Sequence, residues 1–229
     1  MSNHEPEGNS RPVSSNQQGV HSQLGAILRR HFNSVYRKPV PQHSRQAFTK
    51  LLNRLHQKEQ PLVLDSFCGT GHSTAALALH HPEHLVVGID QSGHRLAKHP
   101  GGDAENYLLL QAECEDIWRL LLEEGLHTRY HYLLYPNPWP KSKHLGRRIH
   151  GHPGFAHLLK LGGELELRSN WQLYVEEFGA ALHICGHYSS VGRVAERPPL
   201  TLFEDKYRRS GHALWSLKAK LGTVTNSSL

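Results

Sequence analysis

The chain lacks several sequence features that would assign it to a well-known class of protein. Its 229 residues include three cysteines, far apart in sequence, and neither a CxxC pair nor an HExxH motif. An odd number of scattered cysteines argues against a disulfide framework and indicates free thiols in a reducing compartment. The missing ligand spacings exclude the common zinc sites, so we predict no metal, although the chain carries 20 histidines.

Long apolar runs are also missing. No stretch approaches the roughly 20 apolar residues that a membrane-spanning helix needs, and the N-terminus has no hydrophobic signal core. We therefore expect a soluble, cytoplasmic protein without a membrane partner. What the chain has in excess is positive charge, with 26 Lys and Arg against 20 Asp and Glu. That surplus favours an anionic partner, and nucleic acid is the first candidate.

The chain divides into four predicted segments. Residues 1–20 are rich in Ser, Asn, Gln, Gly and Pro, a composition typical of disorder. Residues 21–58 comprise a basic arm and then a helix, for which Ser44 is the candidate N-cap. The arm suits an RNA contact, although a solvated linker is the better-supported interpretation. Residues 59–220 form one folded domain, and residues 221–229 form a flexible tail.

Strands and helices alternate through the folded domain. The strand patterns lie at 61–65, 84–90, 107–111, 131–135 and 164–168, and around 187–194 and 212–217. Amphipathic helical patterns separate most of them. This alternation predicts an α/β fold with a mostly parallel, seven-stranded sheet and helices on both faces. Ligands of such sheets bind at the carboxyl ends of the strands.

Acidic residues follow three successive strands at matching positions. Asp65 ends the first strand, Asp90 ends the second, and Glu113 lies just past the third. The turn after Asp65 contains Gly69 and Gly71, which let the backbone approach a ligand and open a helix. An acid after the second strand commonly accepts ribose hydroxyls. One such acid is more often a helix cap or a solvated residue, but three in register favour a nucleoside ligand.

The signs of the charges indicate which nucleoside. Carboxylates repel a pyrophosphate, so S-adenosylmethionine, with its sulfonium and ammonium groups, suits this site better than NAD does. The dinucleotide fingerprint GxGxxG is also incomplete, because Phe67 occupies its first glycine position. We therefore predict S-adenosylmethionine as the cofactor. A nicotinamide-dependent oxidoreductase is the disfavoured alternative.

The most specific motif is YPNPWPKSKHLGRR, at residues 135–148 after the fourth strand. It places Asn137 between two prolines, then the flat ring of Trp139, and then a run of cations. A rigid polar turn, an aromatic platform and a cationic run suit a site that holds a base and its phosphates. Taken alone, the motif also fits a proline-rich surface turn followed by a solvated charge run.

The order of the motifs resembles that of one family. LVLDSFCGTG, GID, YPNPWPKSKHLGRRI, LGGELELRSNWQLY and RPPLTLFEDKYRRSGHALW are similar to successive signatures of bacterial tRNA (guanine-N7) methyltransferases, over about residues 61–217. The resemblance implies a Rossmann-like class I methyltransferase. It also implies that the substrate is tRNA or another structured RNA, and that the methyl group goes to N7 of a guanine in the variable loop.

The resemblance implies roles for individual residues. Asn137 would be the catalytic residue, beside the transferred methyl group. The cofactor-binding residues would be Asp65, Gly69, Gly71, Asp90, Glu113 and Asn137. The substrate-binding residues would be Lys141, Arg147, Arg148, Asn170, Thr201, Phe203 and Glu204, with the two arginines on phosphate.

Four positions depart from the family pattern. The family usually has Asp at Asn137 and at Asn170, Gly at Phe67 and Lys at Leu202. Guanine N7 carries a lone pair and no proton, so its methylation needs no general base and survives the loss of a carboxylate. Recognition of the base changes, because an amide offers one acceptor and one donor group where a carboxylate only accepts.

These departures leave alternatives open. Asn-Pro at a strand end also resembles the turn of methyltransferases that act on amino groups, so methylation of another base or of an exocyclic amine is one alternative. A catalytically silent, RNA-binding family member is another. The sequence does not distinguish a monomer from a homodimer.

Overall fold

A computed structural model describes residues 8–222; residues 1–7 and 223–229, and the predictions made for them, lie outside the described part. Its centre is a seven-stranded sheet. The strands are β1 Leu62–Ser66, β2 Leu85–Asp90, β3 Tyr107–Gln111, β4 Thr128–Leu134, β5 Gly163–Ser169, β6 Ser189–Arg193 and β7 Trp215–Leu221. Their order is β3-β2-β1-β4-β5-β7-β6, and β7 runs antiparallel to both of its neighbours. The predicted mostly parallel, seven-stranded sheet is confirmed.

Helices connect the strands and precede the first of them. They are α1 Leu24–Phe32, α2 Gln42–Gln57, α3 His72–His80, α4 Gly93–Leu96, α5 Cys114–Glu123, α6 Phe155–Leu161, α7 Gln172–Ile184 and α8 Leu202–Arg209. Two 3₁₀ turns, Ser142–Arg147 and Ile149–Gly151, follow β4. No helix within residues 8–222 combines the length and the apolarity that crossing a bilayer requires.

The helices cover the two faces of the sheet unevenly. α2, α5, α6 and α7 bury a large apolar core that includes Trp118, Tyr174 and Phe178 on one face. α3 packs on the other face, against β2 and β3. Over β4, β5, β7 and β6 that second face is open and carries polar side chains, among them Glu166 and Lys218. The prediction of helices on both faces holds, and the open half of one face is new.

Two helix starts differ from the sequence prediction. Ser44 does not cap α2, because that helix already begins after Pro41 and the Ser44 hydroxyl donates to Glu113 and Asp116 instead. Thr201 starts a helix that was not predicted, since it is the N-cap residue of α8 and its hydroxyl accepts from the N–H of Glu204 at 2.9 Å. The sequence TLFE fits the pattern of a capping box, and this bond is one half of it.

The N-terminal segment, for which composition indicates disorder, has a defined path over residues 8–20. We call these residues the strap. Its start bonds to the end of α8, the hydroxyl of Ser15 donates to the carbonyl of Pro140, and Gln17 donates to Glu177 on α7. These contacts are hydrogen bonds between residues far apart in sequence. The apolar content of the segment therefore does not predict them.

A buried ion pair lies beneath the strap. Glu177 accepts from both Arg148 and His150, and all three side chains are fully buried. Arg148 also donates to the carbonyl of Trp139 at 3.2 Å, and its guanidinium lies over the ring of Trp171. Burial alone would raise the pKa of Glu177, but hydrogen bonds from His150 and Arg148 hold that pKa well below its ordinary value. The predicted phosphate contact of Arg148 is therefore corrected, because its charge is buried and already neutralised.

The ion pair of Arg148 and Glu177 leads to a prediction about the stability of the protein. Replacing Glu177 by Gln leaves the guanidinium of Arg148 buried without a counter-charge, which costs on the order of 3–5 kcal/mol. We expect urea denaturation to show a fall of that size in the free energy of unfolding. The matched control is Glu176→Gln, one residue earlier and exposed, which should stay within about 0.5 kcal/mol of the wild type. Equal losses in both variants would contradict the prediction.

Candidate active site

A cavity of about 370 Å³ lies at the carboxyl ends of the central strands. Its walls come from the glycine turn after β1, the segment after β4 and the start of α8. The predicted site residues that line it are Gly69, Asn137, Arg147, Thr201 and Phe203. The predicted site residues outside its walls are Asp65, Gly71, Asp90, Glu113, Lys141, Arg148, Asn170 and Glu204.

The backbone around the cavity is strained. Three non-glycine residues within 8–222 have positive φ angles, namely Phe67 at 64°, Tyr135 at 55° and Trp139 at 46°. All three line this cavity. A left-handed conformation costs a bulky residue on the order of 1–3 kcal/mol and persists where the surrounding structure enforces it, commonly at functional sites. The turn at Phe67 thus has a conformation that glycine, which is usual in the family there, adopts without strain.

Asp65 lies directly behind Ser73, a residue of the cavity wall. Its Oδ2 accepts the hydroxyls of Ser73 at 2.6 Å and Thr74 at 2.7 Å, whereas its Oδ1 is buried without a hydrogen-bond partner. Burial raises the pKa of Asp65 to about 6, although the two hydroxyls oppose that rise. A buried acceptor without a donor is unfavourable. The free oxygen therefore suits a ligand that brings a donor.

Asp90 fixes the glycine turn from the next strand. Its Oδ2 accepts from the backbone N–H of Gly69 at 2.9 Å, and its Oδ1 pairs with the guanidinium of Arg95 at 2.9 Å. Asp90 itself is buried, and Arg95 stands in the cavity wall in front of it. Sequence reasoning missed Arg95, which carries no motif signal of its own.

Glu113 is tied to α2. Its carboxylate accepts from Ser44 at 3.0 Å and contacts His43 at 2.9 Å. Burial would raise the pKa of Glu113, but hydrogen bonds from Ser44 and His43 lower it below its ordinary value. Glu115, two residues later, lines the cavity. Glu113 thus follows β3 at this edge of the sheet, while Glu115 faces the open space.

Asn137 lies at the mouth of the cavity. Its Oδ1 accepts from the backbone N–H of Trp139 at 3.1 Å, which leaves the side-chain NH₂ group as a donor. The guanidinium of Arg147 lies 4.9 Å from the centre of the Trp139 ring. The polar turn, the aromatic ring and one cation of the predicted run, Arg147, therefore come together here.

Asn170 offers a hydrogen-bond acceptor, whereas Asn137 offers a donor. The Nε2 of His212 lies 2.9 Å from the backbone carbonyl of Ser10. Because a carbonyl only accepts, this Nε2 carries the hydrogen, and the Nδ1 of His212 is an acceptor. The NH₂ group of Asn170 donates to that Nδ1 at 3.1 Å, which leaves the Oδ1 of Asn170 as an acceptor. Asn170 does not cap α7, because the N-cap position of that helix is Trp171 and its first turn has no side-chain capping bond.

The predicted substrate contact of Glu204 is also corrected. Its carboxylate is fully buried and pairs with Arg168 at 2.9 Å and Arg208 at 2.7 Å. A carboxylate held by two guanidinium groups inside the protein is not available to a substrate. Its effect is to fix α8, which presents the half-exposed ring of Phe203 to the cavity.

Solved structures resemble this fold. The 16S rRNA methyltransferase KamB has a TM-score of 0.56 at 18% identity, covering 75% of this chain and 92% of its own. A 16S rRNA (adenine(1408)-N(1))-methyltransferase of Catenulisporales acidiphilia has a TM-score of 0.54 at 18% identity, covering 78% of this chain and 93% of its own. Together with the strand order, these likenesses define a Rossmann-like, class I methyltransferase fold.

Sequence comparison places the chain within that class. A family model described as "Putative methyltransferase" matches residues 59–217. The tRNA (guanine-N(7)-)-methyltransferase of Photobacterium profundum is 31% identical over 72% of each chain, and that of Photorhabdus laumondii is 32% identical over 74% of this chain and 76% of its own. The chain belongs to the tRNA (guanine-N7)-methyltransferase family. The resemblance found in the motifs is confirmed.

The raised pKa of Asp65 predicts how stability depends on pH. The folded protein favours the protonated form of Asp65. The stabilisation that follows from this preference is complete below about pH 3.8 and is lost as the pH rises through about 6. Asp65→Asn has no such loss. Without ligand, the free energy of unfolding of the variant should therefore rise by about 3 kcal/mol relative to that of the wild type between pH 3.5 and pH 7.

Urea denaturation across that pH range measures the difference. Asp103→Asn, at an exposed carboxylate, is the matched control and should follow the wild type throughout. A stability difference between Asp65→Asn and the wild type that does not change with pH would contradict the assignment of this shift to Asp65.

Proposed function

We propose that this protein transfers the methyl group of S-adenosylmethionine to N7 of a guanine in the variable loop of tRNA. Membership of the family supports the reaction and the substrate class. The structural observation that carries the proposal is one cavity lined by both the glycine turn and the Asn137 turn, which supports a cofactor half and a base half that meet in one site.

The residues of the cofactor half fit this ligand. S-adenosylmethionine supplies an electrophilic methyl group on a positively charged sulfur. The unpartnered oxygen of Asp65 suits a cationic donor of the ligand. Gly69 has φ +63°, and a Cβ there would meet no protein atom within 4 Å, so the space beside the turn is open. Asp90 would accept ribose hydroxyls once Arg95 gives up its contact, and Glu113 would bind the adenine side.

The base half offers a donor and an acceptor. Asn137 presents its NH₂ group and Asn170 presents its Oδ1, as their other atoms are engaged within the protein. Guanine presents O6 as an acceptor and N1–H as a donor, and the two amides offer the complementary groups, Asn137 in the cavity wall and Asn170 outside it. Two carboxylates at these positions would accept only. The two departures from the family pattern therefore change how a guanine is bound and do not remove its partners.

Methylation of guanine N7 requires alignment of the base with the methyl group and no proton transfer. Guanine N7 has no proton to lose, so the residues of the site need only hold the base in line with the methyl group. Such positioning contributes at most about 7–11 kcal/mol to lowering the barrier. Trp139 and Phe203 supply flat apolar surfaces for the base, and Arg147 supplies a charge for the adjoining phosphate.

Nucleoside analysis tests the proposal directly. Unmodified tRNA incubated with the protein and labelled cofactor, then digested to nucleosides, should yield labelled 7-methylguanosine. Asn137→Ala should lower its rate of formation about 10- to 100-fold, from the loss of one base contact, while Asn53→Ala on the exposed side of α2 leaves it unchanged. Labelled N-methyladenosine would instead support methylation of an exocyclic amine, and RNA binding without label would support a silent family member.

Cofactor binding gives a second test. Asp65→Asn should weaken the binding of S-adenosylmethionine about 10- to 100-fold, because a charge-assisted contact of about 1.5–3 kcal/mol is lost. Isothermal titration calorimetry measures the Kd, with Asp103→Asn as the control of equal charge change. An unchanged Kd for Asp65→Asn would remove Asp65 from the cofactor site.

A further inference from the structure

Three acidic residues begin α5, and one of them borders the cavity. Glu113 lies outside the cavity wall and is bound by Ser44 and His43 of α2. Asp116 is buried and accepts from the hydroxyl of Ser44 at 3.0 Å. Glu115, in the first turn of α5, lines the cavity, and its side chain is 19% exposed. Glu115 is therefore the acid of this group that a ligand in the cavity can contact.

The carboxylate of Glu115 has no donor from the protein. No side chain of residues 8–222 forms a hydrogen bond with it. The Nδ1 of His152 lies 3.8 Å from its Oε1, which is too far for a hydrogen bond. That Nδ1 accepts from the backbone N–H of Gly154 at 3.1 Å, so it carries no hydrogen to donate. The oxygens of Glu115 are therefore available to a donor of a ligand.

The surroundings of Glu115 do not favour its charge. Burial raises the pKa of Glu115, and the charges of Asp116 and Glu113 act in the same direction. Its own backbone N–H and the charge of Lys38 oppose that rise. Burial also lowers the pKa of His152, which keeps that ring neutral. A half-buried carboxylate without a donor is unfavourable in the free protein, and a ligand that brings a donor relieves this cost.

Glu115 lies against the segment that carries the base half of the site. A Cβ on Gly154 would lie 2.7 Å from the Cγ of Glu115, so this side chain packs against the segment after β4. Asn137 and Arg147 of the same segment line the cavity with Glu115. Asn137 offers a donor there, whereas the acceptor of Asn170 lies outside the cavity wall. Glu115 thus supplies an acceptor within the wall, on the side of the base.

We propose that Glu115 selects guanine, because its carboxylate accepts from the 2-amino group of the base that is methylated. This inference rests on the proposed function and adds a specificity-determining residue to it. On the guanine ring, O6 and the 2-amino group flank N1, so the donor of Asn137 and the acceptor of Glu115 read one edge of the base. Adenine has an amino group in place of O6 and no 2-amino group. It therefore matches neither side chain.

Inosine tests this contact, since its base differs from guanine by the missing 2-amino group alone. The substrate is tRNA joined from two pieces, with inosine in place of the guanosine that the wild type methylates, and the transferred labelled methyl group is counted. The kcat/KM of the wild type should be about 10- to 100-fold lower on the inosine tRNA, because one charge-assisted hydrogen bond is lost. Glu115→Ala should methylate both tRNAs at about the lower rate, so that the guanine preference disappears.

Two further variants complete the experiment. Glu124→Ala, at the exposed end of the same helix, is the matched control and should keep the wild-type preference. Glu115→Gln has nearly the same size as the wild type and should keep part of the preference, because its amide still offers one acceptor. All variants should bind S-adenosylmethionine with the wild-type Kd in isothermal titration calorimetry.

The outcomes separate this inference from the proposed function. A wild-type guanine preference in Glu115→Ala would overturn the inference, and a raised Kd for S-adenosylmethionine together with a kept preference would assign Glu115 to the cofactor instead. In either case, formation of 7-methylguanosine by the wild type would leave the proposed function standing. A wild type that forms no 7-methylguanosine would overturn both.

Discussion

The buried pair of Arg148 and Glu177 is the interaction on which the site depends. A guanidinium inside a protein requires a counter-charge and further acceptors, and here they come from α7 and from the backbone of the turn after β4. Arg148 holds the carbonyl of Trp139, whose own N–H holds Asn137. The two adjacent arginines of the family motif thus have different tasks, since Arg147 faces the solvent over the aromatic ring and Arg148 anchors the turn from within.

Unfavourable features concentrate around one cavity. Phe67, Tyr135 and Trp139 have left-handed backbones there, and Asp65 is a carboxylate with an unpartnered oxygen. Each lowers the stability of the free protein, and the well-packed core on the α5–α7 face of the sheet offsets them. A domain that retains such features at one place does so because a ligand relieves or uses them, which is the usual relation between stability and activity.

Local patterns revealed the sheet but not the partners of buried charges. The strands were predictable because their apolar runs end in glycine, proline or acidic residues, and the three acids lie at one edge because parallel strands end together. Arg148 and Glu204 were misassigned because their partners, Glu177, Arg168 and Arg208, lie on other elements or another turn. Burial of a charge is a tertiary property. The strap escaped prediction for the same reason, since its acceptors lie more than 100 residues away.

The two ends of the folded chain leave the domain at opposite edges of the sheet. The strap passes from His212 to Pro140, next to the motif that carries Asn137. β7 finishes at Leu221 beside Gly163, the first residue of β5, at the amino edge of the parallel strands. The strap therefore borders the segment that carries Asn137, whereas the last residues of β7 lie at the opposite edge of the sheet, away from that segment.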